Sequence, residues 1–137
     1  MRQMSCTCAS SGDGGPALSA GLQALRGLAM DAAGDLYISE FNFAGTPLSP
    51  VDCNVRRVDM STGDISTVAG SDTCGFSGDG DDATDAEIRT PADIALSCDG
   101  NVAFAEALNG RLRVVSDVSS GGPAPDTDHD GLGYICE

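Results

Sequence analysis

Laid against itself at a shift of 66 residues, this chain matches its own second half. Gly12-Asp13-Gly14 recurs as Gly78-Asp79-Gly80, and Ala17, Ala20 and Leu22 find Ala83, Ala86 and Ile88. The register continues through Ala29 and Ala95, Gly34 and Gly100, Leu36 and Val102, and the acidic Glu40 and Glu106. Beyond Asn42 the spacing falls to 57, where Val55-Arg56-Arg57-Val58 aligns with Leu112-Arg113-Val114-Val115; the first copy therefore carries 9 extra residues between Phe43 and Cys53. A unit repeated at this period is one supersecondary element that hides its apolar face only against a sister unit, and about three such units are expected for stability. Two copies thus imply a fragment, a partial gene product, or a protomer that completes a ring with other chains.

Within each copy the apolar residues come in short runs. Leu28 to Met30, Leu36 to Ile38, Val55 to Val58 and Ile65 to Val68 are separated by Ala33-Gly34-Asp35, by the insert, and by Ser61-Thr62-Gly63-Asp64. Runs of this length bounded by Gly and Asp read as strands joined by turns. The second copy supplies Ile94 to Leu96, Val102 to Ala105 and Leu112 to Val115, with Asp117-Val118 as a weak fourth. Four short strands in series form an antiparallel meander of the kind that makes a propeller blade. The insert, rich in Gly, Pro and Ser, reads as an extended loop. Ala17 to Leu25 and Ala83 to Ile88 read as connectors with room for one or two helical turns, with Leu18, Leu22 and Leu25 on one side.

Charge narrows the partners. The 137 residues carry 7 basic and 21 acidic side chains, a net charge of −14, and every basic residue is Arg. Nucleic acid and anionic membranes would be repelled, and no apolar run approaches the roughly 20 residues of a membrane helix. Six cysteines, Cys6, Cys8, Cys53, Cys74, Cys98 and Cys136, with one His and no CxxC pair, point to disulfides in an oxidising compartment rather than to zinc. Fifteen full pairings are open. The first ten residues do not read as a signal peptide, so export implies a signal upstream of Met1.

The strings GDGGPALSAGLQALRGLAMDAAGDLYISE and GFSGDGDDATDAEIRTPADIALSCDGNVAFAE, with Val55 to Asp59, Thr62-Gly63 and Ser66 to Gly70, resemble NHL repeats over about Gly12 to Val115. The resemblance implies an all-β fold of NHL-type β-propeller blades, two four-stranded antiparallel meanders forming an incomplete propeller. The family's Pro before the first strand is Leu25 in copy one and Pro91 in copy two, and its next Gly is Gly27 and then Asp93. The expected organisation is an N-terminal segment over 1–11, blades over 12–118, a linker over 119–125 and a terminal loop over 126–137.

That terminal loop places carboxylates at positions 1, 3, 5 and 12 and Gly at position 6. Asp126, Asp128 and Asp130 converge, Gly131 allows the sharp turn, the Leu132 carbonyl adds an oxygen and Glu137 closes the set, which is the oxygen cage Ca²⁺ takes. Pro123 and Pro125 upstream preclude an EF-hand helix there. The 12 residues instead resemble a thrombospondin type 3 calcium motif, with Tyr134 where an acid is usual, so the expected affinity is that of weak extracellular sites, near 10⁻⁴–10⁻³ M on the order of magnitude. His129 reads as a solvated side chain between ligands.

Catalysis is weakly encoded. Gly75-Phe76-Ser77-Gly78 lacks the closing Gly of a nucleophile elbow, and no phosphate-binding loop with a Lys exists. Glu40, Asn42, Glu106 and Asn109 follow the second strands and read as polar strand ends, while Arg56 and Arg111 to Arg113 read as strand-surface charges. The expected function is a secreted or surface-exposed interaction module for a protein or glycan partner, with Ca²⁺ as cofactor. Two alternatives stand beside it: a fragment of a metal-dependent propeller enzyme of lyase or lactonase type, and a structural element that self-associates through open blade edges.

Overall fold

The computed structural model describes residues 10–43, 50–97 and 99–116. Eight strands form two antiparallel sheets: β1 (Gly15–Pro16), β2 (Leu25–Met30), β3 (Leu36–Phe43), β4 (Pro50–Val58), β5 (Asp64–Ala69), β6 (Pro91–Leu96), β7 (Val102–Glu106) and β8 (Arg111–Val115). The first sheet runs β1-β5-β4-β3-β2 and the second β6-β7-β8. This is the all-β, incomplete-propeller architecture expected from the repeat, and the strands fall where the apolar runs stand. Turn residues set the reversals: Gly34 and Gly63 both take positive φ, 92° and 83°, which costs a glycine nothing.

Three expectations about the first blade need correction. The insert is less of a loop than its composition suggested, because the β3–β4 ladder continues into it through Asn42↔Val51 and Phe43↔Pro50. The connector makes a single 3₁₀ turn, Ala17–Ser19. Its leucines do not share a side: Leu22 is buried, whereas Leu18 and Leu25 are exposed. The segment lies flat on the sheet, so only every few residues point inward. The blade also gains a fifth, two-residue strand, β1, which pairs Gly15 with Ile65 and Pro16 with Asp64. A fourth strand for the second blade at Asp117-Val118 lies outside the described residues.

Each blade buries one face against its own connector and the other against its neighbour. In the first blade Ala17, Ala20 and Leu22 cover Ile38, Val58 and Ile65. Its opposite face, with Tyr37, Phe41 and Val55, packs on Ile88, Ile94, Val102 and Phe104 of the second blade. The inner strands meet at Gly27, where a Cβ would lie 2.9 Å from the Ala92 carbonyl oxygen and 3.0 Å from Asp93 Cα. Ser39 Oγ bridges the seam there, accepting from Gly27 N at 2.7 Å and donating to Ala92 O at 3.2 Å. A disulfide, Cys53–Cys74, ties β4 to the chain entering the second blade. The other four cysteines lie outside the described residues. Among the described residues no helix is long and apolar enough to cross a membrane.

Candidate functional site: repeated ion clamps and an open groove

Arg56 has only 1% of its side chain exposed and lies between two carboxylates, Asp13 at 2.5 Å and the fully buried Glu40 at 3.2 Å. It also donates to Ser10 Oγ and to the Ser11 carbonyl. Glu40 in turn accepts from Gln23 N at 2.8 Å and from Ser10 Oγ. The second blade repeats this device: Arg113 pairs with Asp79 at 2.8 Å and with buried Glu106 at 3.4 Å, donates to the Ser77 carbonyl, and Glu106 accepts from Arg89 N. Asp13 and Asp79, and Glu40 and Glu106, stand 66 apart; Arg56 and Arg113 stand 57 apart.

These residues correct two expectations. Arg56 and Arg113 are not strand-surface charges; Arg111 alone of the group fits that reading, lying exposed over the Phe76 ring at 3.9 Å. Glu40 and Glu106 are not free strand ends but interior anions, each held by a guanidinium and a backbone N–H, as a buried carboxylate requires. Asn42 donates to Gln23 Oε1, and Asn109 to Gly75 O and Glu106 Oε2. The four polar groups that a channel-based enzyme would need are thus turned into the blades. The signal for the clamp stood in the sequence: an acid, an acid and an Arg recur at the repeat's own spacings.

The Gly-Asp-Gly landmark builds the clamp's outer arm. At Gly12 and Gly78 φ is 90° and 81°, and a Cβ would meet Ala20 Cα at 2.9 Å and Ala86 Cα at 2.8 Å. The turn so pressed against the connector aims Asp13 at Arg56, and Asp79 at Arg113. The first blade adds an ion pair with no counterpart: Arg57 holds Asp35, and the repeat-equivalent residues are Val114 and Asn101. Burial pushes the Asp35 carboxyl up, but the Met60 N–H and Arg57 outweigh it and hold it below its ordinary value. Burial also raises Tyr37, which faces the second blade, to about 12.

The second blade differs in carrying a groove of about 670 Å³ between β8 and the Gly78–Ala83 segment. Its floor is Ala83, Ala86, Ile88, Phe104 and Val115. By the repeat these correspond to Ala17, Ala20, Leu22, Ile38 and Val58, the residues that enclose Ile65 in the first blade. Asp79, Asp81 and Asp82 line one rim and Arg111 the other.

The expected calcium ligands Asp126, Asp128, Asp130, Leu132 and Glu137 lie outside the described residues. Among the described residues no group of three or more His, Cys, Asp or Glu side chains is placed to hold a metal ion.

No protein-family model matches the chain. It is similar to Teneurin-1 of Mus musculus, 31% identical over 113 residues, and to Teneurin-1 of Homo sapiens, 30% identical over 113 residues; each match covers 73% of this chain and 4% of the relative. The chain therefore spans a small part of the relatives it matches. Among solved structures it resembles a protein of unknown function from Bacteroides thetaiotaomicron, with a TM-score of 0.59 and 26% identity over 71% of this chain and 22% of that one. Each similarity takes in most of this chain and a minor part of a much longer one.

Proposed function

We propose that this chain is a two-blade portion of an extracellular NHL-type β-propeller that serves as a protein-interaction module. The observation that carries the reading is the pair of identical clamps, Asp13–Arg56–Glu40 and Asp79–Arg113–Glu106, in two sheets stacked face to face. The Cys53–Cys74 disulfide and the likeness to Teneurin-1 support an extracellular setting. The end faces support further blades on either side. Leu112 is 71% exposed although its equivalent, Val55, is fully buried, and Leu28 is 65% exposed although its equivalent, Ile94, is 8% exposed. Each bare residue is the counterpart of one that a neighbouring blade covers.

The test is a heterologous stack. Leu112 of one copy should meet Leu28 of the next, as Val55 and Ile94 share one core here, giving concentration-dependent association by light scattering. Leu28→Glu with Leu112→Glu should leave a folded monomer. A wild-type chain that stays monomeric at high concentration counts against blade stacking as the chain's role. We carry the 126–137 loop as a weak Ca²⁺ site on its spacing of acids: calorimetry should give one site, lost in Asp128→Ala or Glu137→Ala, and no heat at millimolar calcium would remove it.

A further inference from the structure

We propose that the groove beside β8 is a docking slot for an extended strand from a partner polypeptide. That strand carries Ile or Val at one position and Lys or Arg immediately before it. The proposal rests on the blade reading and deepens it.

The first blade shows what such a slot holds. There β5 occupies the space: Ile65 is 1% exposed in the socket, Gly14 N donates to Ile65 O at 2.8 Å, and Thr67 N donates to Asp13 Oδ2 at 3.0 Å. The second blade keeps the whole receptor side. Its socket lining is present residue for residue, Gly80 repeats Gly14 with φ of 91°, and Asp79 repeats Asp13. Among the described residues nothing fills the socket, β8 is the edge of its sheet, and Gly80 N has no acceptor. An apolar socket with a backbone donor, a carboxylate acceptor and a free sheet edge is the arrangement that strand addition uses.

The residues that follow β8 in sequence do not match the slot. At the spacing of 57 the socket residue Ile65 corresponds to Gly122, and the flanking positions include Pro123 and Pro125. Glycine brings no side chain, and proline has no N–H for a ladder. The acidic stretch beyond them would meet Asp79, Asp81 and Asp82 with like charge. Charge also sets what does fit. In the first blade Asp64 pairs with Pro16, and Ile65 with Gly15. In the second blade those receptor positions are Asp82 and Asp81, both exposed. A strand entering here with an acid at the first position would face Asp82 across the ladder, whereas Lys or Arg would be attracted.

The probe is a nine-residue peptide with the sequence of Thr62 to Gly70 and Asp64→Lys, titrated into the full isotope-labelled chain and followed by backbone NMR. Carbon shifts of β6 to β8 report whether the blade itself exists, independently of the peptide. With the blade present, the expected result is saturable shifts at Gly80, Asp81 and along β8 at peptide concentrations up to about 1 mM. Ile65→Gly in the peptide should weaken binding about tenfold or more. N-methylation at Thr67 should weaken it about tenfold, and restoring Asp64 about two- to fivefold. Asp82→Lys in the protein should invert the preference between the Lys and Asp peptides. An intact blade with no shifts, with shifts confined to other surfaces, or with equal affinity for the Ile65→Gly peptide overturns the docking slot alone. Absence of strand shifts in β6 to β8 overturns the blade reading and the slot together.

Discussion

The two blades follow one template, yet the first closes on itself and the second does not. Both have the Gly-Asp-Gly turn, the buried Glu and the Arg between the acids. Only the first adds β5, the small strand β1 that pairs with it, the Arg57–Asp35 pair and the disulfide anchored in β4. The shared part holds a connector onto a three-stranded sheet. The unshared part seals the outer edge. The core of a blade is therefore separable from its rim, and a blade without its rim presents an apolar socket rather than a collapsed surface.

The largest test of that separation is the clamp. Arg56→Ala strands Glu40 in the interior without its cation, a loss of about 3–5 kcal/mol. Arg113→Ala should cost less, because Arg113 keeps 11% of its side chain exposed against 1% for Arg56, so water reaches the second clamp more readily. Urea denaturation of both variants ranks them; equal losses would mean that the missing rim does not loosen the second clamp. Next comes Cys74→Ser, which opens a link spanning 21 residues and should cost about 3 kcal/mol on chain-entropy grounds. Because this link joins β4 to the entry of the second blade, exchange protection should fall at the seam around Gly27 before it falls in β3. The smallest effect is Tyr37. Unfolded, its phenol ionises near 10.0, and folded near 12, so the folded state holds the proton more tightly. Stability should fall by about 2 kcal/mol as pH rises through that window, and Tyr37→Phe should remove that part of the slope. The second blade has Ala103 at the equivalent position and contributes none.

Self-comparison of the sequence located seven of the strands and the turns between them, because short apolar runs between Gly and Asp have few other solutions. Burial of the arginines was not legible in the same way. In Val55-Arg56-Arg57-Val58 one Arg points to each face of β4, and local alternation cannot say that the connector covers the side bearing Arg56. The two-residue β1 escaped notice because Gly15-Pro16 has no strand propensity; it is placed by Gly14 N and by Ile65, far away in sequence. The socket was likewise invisible, since its five lining residues come from three separate stretches and only the first blade's core shows that they belong together.

The clamp also decides where such a chain can be divided. Its first acid, Asp13, lies ahead of the sheet it serves, and the same holds for Asp79, so each Gly-Asp-Gly turn belongs to the strands downstream of it. A gene cut just before β2 or β6 would discard that acid while retaining the guanidinium and the inner carboxylate, leaving an unbalanced charge in the interior. Grafting, exon shuffling or engineered lengthening of this scaffold should therefore join modules between Ala69 and Phe76, a stretch that crosses no clamp, and keep each turn with its own sheet.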